Sequence, residues 1–253
     1  MPIVRIPLGR RAFAPSWGMT FLAAAVCALF VYLGLWQWNK GARREAEWAA
    51  FARSADAPVA LGSRRLSDLA RFAHIEFAGH FEGAHQFLLD NTIHEGYDGY
   101  DVLTPLKIAD GGRVLLVNRG WVPFTGSRSR LPNVSLSVTS QVTLTGRVGR
   151  LPAHGLAFGE APPHAGSRWP KVTSFPTIAE LAAVLGEKVE TGVVLLDPKA
   201  PYGYVRDWSP PGMKPIKNLF YGIQWWSFAA TIFIIWAVLS TPKQRQRALT
   251  EAQ

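Results

Sequence analysis

From Asn218 to Thr241 the chain reads Asn-Leu-Phe-Tyr-Gly-Ile-Gln-Trp-Trp and then Ser-Phe-Ala-Ala-Thr-Ile-Phe-Ile-Ile-Trp-Ala-Val-Leu-Ser-Thr, without one charged side chain. At about 1.5 Å of rise per residue a helix of this length covers the roughly 30 Å of bilayer hydrocarbon, where an open segment satisfies its backbone only as a helix. Trp17 to Trp38 is a second uncharged run. The sequence therefore predicts membrane spans at 17–38 and 218–241, with short tails at 1–16 and 242–253. Residues 39–217 lie between the spans, a length that suits one folded domain with its own core.

Two spans joined by a single long loop put the end of the first and the start of the second on one side of the membrane. The first ends in Leu-Trp-Gln-Trp at 35–38; the second carries Tyr221, Gln224, Trp225 and Phe228 at i, i+3, i+4 and i+7, on one helical face. Trp36, Gln37 and Trp38 are thus expected to meet Tyr221, Gln224 and Trp225. Two readings of that cluster are open: an interfacial aromatic belt of an ordinary anchor, with Gln37 and Gln224 hydrogen-bonded between helices, or a ligand-contacting surface.

The formal charge of +9 has the magnitude of a nucleic-acid binder, but its distribution removes that class. Arg5, Arg10 and Arg11 precede the first span with no acid among them, and Lys243, Arg245 and Arg247 follow the second against Glu251 alone. The rest is spread over the middle without a block or stripe. Basic tails outside both spans predict cytoplasmic termini and an extracytoplasmic domain. With neither a transit-peptide composition nor a cleavage pattern after the first span, a bacterial inner membrane is expected, the mitochondrial inner membrane being the alternative. Cys27 is the one cysteine. A chain with one thiol forms no internal disulfide and offers no paired thiolates to copper or zinc.

Between the spans, Asn39 to Arg53 reads as a short helix leaving the membrane and Leu66 to Phe72 as a helical turn. Strands are predicted at 73–81, 85–93, 99–108, 113–122, 141–150, 168–172 and 192–197, with Asp110-Gly111-Gly112 as a hairpin turn. One helix interrupts them at 177–185: Thr177 and Glu180 form a capping box, and Gly186 stands at the left-handed stop. The fold class is a two-span membrane protein with a mainly antiparallel β (α+β) extracytoplasmic domain. No Gly-x-Ser-x-Gly elbow or His-Glu-x-x-His helix occurs, and the crowded acids Asp90, Glu95, Asp98 and Asp101 sit among turn glycines, so a membrane-anchored hydrolase is the weaker reading and no enzyme is expected. The six histidines all lie in the loop domain and are assigned no metal.

Four motifs now combine: Gly-Leu-Trp-Gln at 34–37, Leu-Thr-Pro-Leu at 103–106, Val-Asn-Arg-Gly-Trp-Val-Pro at 117–123, and Tyr-x-x-Gln-Trp at 221–225. In kind, order and relation to two spans they resemble the surfeit-locus protein 1 family, the membrane-bound assembly factors for haem-copper cytochrome c oxidase. The resemblance covers nearly the whole chain. It implies a role in delivering or inserting haem a into the large membrane subunit of the oxidase, with Trp36, Gln37, Tyr221, Gln224 and Trp225 near the haem. Arg119 and Trp121 are then expected at the docking surface, Arg119 engaging a propionate, an acidic partner or one of the domain's own acids. The sequence departs from the family in one place: the histidine connected with haem a, three residues before the tyrosine, is Asn218 here. Asparagine has no imidazole nitrogen for iron. A membrane-held docking domain without haem is the alternative function.

Overall fold

The structure is a computed structural model that describes residues 4, 6–8, 11–53, 57–108, 112–152, 161, 163, 168–210 and 212–241. Arg5, Arg10, the basic residues after 241, Asp110, Gly111, His154 and His164 lie outside the described residues. In chain order the elements are β1 (Ile6–Leu8), β2 (Arg11–Phe13), α1 (Trp17–Arg53), β3 (Val59–Ala60), β4 (His74–Phe81), β5 (Phe87–His94), β6 (Tyr97–Ile108), β7 (Val114–Pro123), β8 (Val142–Gly149), β9 (Lys171–Thr173), α2 (Ile178–Leu185), β10 (Val193–Leu196) and α3 (Pro215–Leu239). They form two units, residues 1–49 with 210–253, and residues 50–209.

The first unit is a pair of helices, each long and apolar enough to cross a membrane. The predicted first span and the helix after it are one continuous α1 of 37 residues, about 55 Å at the standard rise and so longer than a bilayer core is thick. The second helix starts earlier than its uncharged run, because Pro215 occupies N1, where a missing N–H costs nothing. The two helices approach closely along small residues seven apart: Gly34 and Gly41 on α1, Gly222 and Ala229 on α3. A Cβ placed on Gly34 would stand 2.1 Å from the indole nitrogen of Trp226, and one on Gly222 would stand 3.4 Å from the carbonyl oxygen of Gly34. Phe30 stacks on Trp225 with centroids 5.6 Å apart, and the Trp236 indole donates to Thr20 Oγ1 at 3.1 Å. Cys27 gives its S–H to the carbonyl of Ala229 at 3.4 Å, the small packed residue its position suggests.

The second unit is an eight-stranded sheet in the order β3-β4-β8-β10-β7-β6-β5-β9, with β4 also paired to β6. That extra pairing closes β4, β8, β10, β7 and β6 into a ring, which leaves those strands no free edge. Strand β6 manages it by length: its first part pairs with β5 and its end, Leu106–Ile108, with β4. Alternation then sorts side chains. Leu115 and Val117 of β7 join Phe77, Leu144 and Val194 inside, while Leu116 faces Phe87, Leu103 and Leu181 under α2.

The predicted strands all occur, with ends displaced by a few residues. The expectation of a mainly antiparallel sheet holds for five pairings, while three are parallel: β3 with β4, β5 with β9 and β10 with β7. Helix α2 begins as its sequence says. Thr177 Oγ1 accepts from the Glu180 amide at 3.2 Å, the Glu180 carboxylate accepts from the Thr177 amide at 2.7 Å, and Gly186 closes the helix at φ 69°.

Candidate functional site

Two places carry the residues singled out by sequence, one in each unit. In the helix pair, rotation about the helix axes decides what meets what. The inward face of α3 is Asn218, Gly222, Trp225 and Ala229, not the Tyr221–Gln224–Trp225–Phe228 face. Trp225 is held against Phe30, and Gln37 of α1 packs against Gly222. Tyr221 and Gln224 are exposed on the flank of α3, while Phe228, partly exposed, packs against Phe30 of α1 with centroids 5.7 Å apart. Trp36 points away from the helix contact and lies under the Lys40 ammonium, 4.7 Å from its ring centroid. Trp38 packs near Trp226 at 6.1 Å. The predicted gathering is therefore split. Gln37, Trp38 and Trp225 belong to the interface, whereas Trp36, Tyr221 and Gln224 face outward, and the Gln37–Gln224 hydrogen bond is not made.

What occupies the buried polar place instead is Asn218. It is 0 % exposed, its Cβ lies against the backbone of Gly41, and neither its amide oxygen nor its amide nitrogen has a hydrogen-bond partner among the described residues. Gln37 Oε1, one turn along the same contact, is likewise buried without a partner. Orphaned polar atoms in a dry helix contact cost free energy. The glycine spacing is the sequence signal that would have found this layer: small residues seven apart mark the contacting faces, and Asn218 shares its face with Gly222.

In the β unit the Val-Asn-Arg-Gly-Trp-Val-Pro motif forms a β-bulge. Asp101 pairs with Trp121 and Leu103 with Asn118, so Arg119 and Gly120 together oppose Val102. Gly120 has φ 108°, and a Cβ there would stand 2.5 Å from the Val205 carbonyl oxygen, so glycine is required on both counts. Asn118 locks the bulge with both ends of its amide. Its oxygen accepts from the Gly120 N–H at 3.0 Å and its nitrogen donates to Asp101 Oδ2 at 3.0 Å.

The bulge turns Arg119 inward, where it is 3 % exposed. Its Nε donates to the Tyr202 carbonyl at 2.6 Å, and its Nη1 to Gln86 Oε1 at 2.8 Å and Thr104 Oγ1 at 3.3 Å. The guanidinium also lies over the Tyr204 ring, 5.0 Å from its centroid. Burial pulls it below the usual arginine range, and Arg206 adds to that pull while Tyr204 opposes it. Among the described residues no carboxylate pairs with it. The expected propionate, partner or acid contact is thus replaced by neutral acceptors, because the bulge leaves the guanidinium no path to the surface. Its work is to fasten the segment Tyr202–Arg206, which also exchanges backbone hydrogen bonds with Arg119 and Trp121. Sequence reasoning missed Gln86, Thr104 and Tyr202; none lies close to Arg119 in the chain.

Trp121, two residues further on, is half-buried at the surface of the sheet. Its ring covers Gly99, lies 5.3 Å from the His94 ring and donates to the Thr92 carbonyl at 3.4 Å. Beside it on the same sheet face is Tyr97, 72 % exposed, which pairs with His94. Behind it the Asp101 carboxyl is raised above its ordinary range by burial, with the Asn118 hydrogen bond and His94 pulling the other way.

A model of the SURF1 family matches residues 24–230 of the chain, which takes in most of both helices and the whole β unit. Comparison with curated proteins returned no match.

Proposed function

The chain belongs to the SURF1 family, known for cytochrome c oxidase assembly factors, and on that premise we propose that it assists haem a insertion into the large membrane subunit of a haem-copper oxidase by docking on that subunit. The observation that carries this is the extent of the family match, over most of both helices and the whole domain between them. In this reading the protein sits in a bacterial inner membrane with both termini cytoplasmic and the β unit extracytoplasmic.

The residues present do not fit a haem whose iron is held at the family position. Asn218 offers no imidazole, and it is sealed against Gly41 at 0 % exposure. We therefore assign this chain the docking part of the task. The outward Tyr221 and Gln224, together with Trp36, supply aromatic surface and one amide that needs a partner in an apolar medium, which suits contact with other membrane helices. Trp121 and Tyr97 supply the contact outside the membrane, since aromatic side chains with one wet edge are favoured in interfaces.

The test is complementation of cells lacking the chain, with assembled oxidase and haem a per oxidase measured spectroscopically. Wild type restores both, and Asn218→Leu does too, because the amide is not a ligand. Gln224→Ala combined with Tyr221→Ala lowers assembled oxidase with the protein still inserted. Normal oxidase haem in cells without the chain would sink the proposal.

A further inference from the structure

Within the helix pair, beside the start of α3, lies a cavity of about 560 Å³ whose wall includes Trp38, Ala42, Glu45, Trp48, Lys214 and Leu219. Its size is that of an ordinary small-molecule site. Trp38 is the last residue of the uncharged run of α1, and Lys40 follows two residues later, so the cavity stands where hydrocarbon gives way to headgroups. Tryptophan prefers that level, and two tryptophans line this space.

Its charged lining is Lys214 and Glu45, and the stretches that lead into it are basic in excess. The adjoining stretches of α1 and α3 carry Lys40, Arg43, Arg44, Lys214 and Lys217 against Glu45 and Glu47. The indole N–H of Trp48 is buried without a partner among the described residues, and the first turn of α3 has no side-chain cap. The basic side chains, the indole N–H and the uncapped amides donate and favour negative charge. A neutral lipid would fill the apolar wall and offer no anion to Lys214, to the Trp48 N–H or to the first amides of α3.

We propose that this cavity binds an acidic phospholipid, with an acyl chain along Trp38 and Leu219 and the phosphate held by Lys214 and the indole N–H of Trp48. The inference does not depend on the oxidase reading, since it rests on the cavity and its charges alone.

The test uses the full chain reconstituted in phosphatidylcholine vesicles carrying a minor share of dibrominated phosphatidylglycerol, dibrominated phosphatidylcholine or dibrominated fatty acid. Bromine quenches tryptophan on contact. The chain has 10 tryptophans, so the signal of Trp38 is taken as the difference between wild type and Trp38→Phe. The phosphatidylglycerol probe should quench that signal several-fold more than the phosphatidylcholine probe. Lys214→Gln should cut the preference about fivefold, the worth of one basic residue at an anionic surface. Ala42→Leu, which narrows the cavity from an exposed position, should lower the quenching itself. Equal quenching by the two phospholipids, or a preference unmoved by Lys214→Gln, overturns the proposal. Stronger quenching by the fatty acid overturns the phospholipid assignment. Native mass spectrometry of the detergent-purified wild type gives a readout free of any variant: retained phosphatidylglycerol supports the site, and equal retention of phosphatidylcholine refutes it.

Discussion

In the β unit, Arg119 is 3 % exposed and hands its hydrogen bonds to Gln86, Thr104 and Tyr202; in the helix pair, Asn218 is 0 % exposed and hands its own to no described residue. Arg119 lies in a motif that carries the family resemblance and Asn218 stands where the sequence departs from it; Asn218 packs beside Gly41, and Arg119 precedes Gly120. The β unit surrounds its buried cation with oxygen acceptors that a bulge and a returning segment bring from distant parts of the chain. Two helices crossing on glycines have little to offer, since their carbonyls are already used along the helix. The comparison teaches that a buried polar residue can be a structural fastener in one place and an unsatisfied cost in another. Only its partners tell them apart.

Breaking the fastener has the largest expected effect. Arg119→Met leaves the Tyr202 carbonyl without its donor and takes one donor from Gln86, costing about 3 kcal/mol or more by the usual penalty for orphaned buried groups. Thermal melting of the full chain, followed through β-structure circular dichroism, measures it; an unchanged melt would mean the network is ornamental. Next comes the helix contact. Gly34→Leu drives a side chain into Trp226, an overpacking cost of about 1–3 kcal/mol, read as loss of the Trp225 and Trp226 fluorescence environment while the β signal persists.

Asn218→Leu tests the comparison by its sign. Replacing two orphaned amide atoms by an apolar group of similar size should stabilise the helix pair by about 1 kcal/mol, where the Arg119 change destabilises the β unit. Loss of stability on that substitution would show that Asn218 has a partner in the membrane. The smallest effect is at Asp101, whose folded-state carboxyl is raised by burial. A raised acid favours the fold while protonated, below its unfolded value, and that contribution is lost as pH rises through the folded value. Asp101→Asn should therefore melt higher than wild type at neutral pH, with the two converging as pH falls into the acid range. A gap that widens on acidification would reverse the assignment.

Much of this was legible in the residues. The capping box of Thr177 and Glu180 and the stop at Gly186 were readable because a helix end is a local contract among four neighbouring residues. The strands were readable from alternation. The orientation of the spans was not, because lipid-facing and protein-facing positions are both apolar, so the aromatic face of α3 looked like the contact when the glycine face was. Arg119 was visible as a motif residue and misplaced at a surface, since a bulge exists only relative to the strand opposite it.

The sequence alone determined the two apolar helices, the β-rich domain between them and the family, because hydrophobic length, period and motif order are properties of consecutive residues. Tertiary structure decided the closed ring of strands, the burial of Arg119 and the isolation of Asn218. Each of these depends on which distant residue arrives opposite, and the pairing of β4 with β6 or of Arg119 with Gln86 is written in no single stretch of chain.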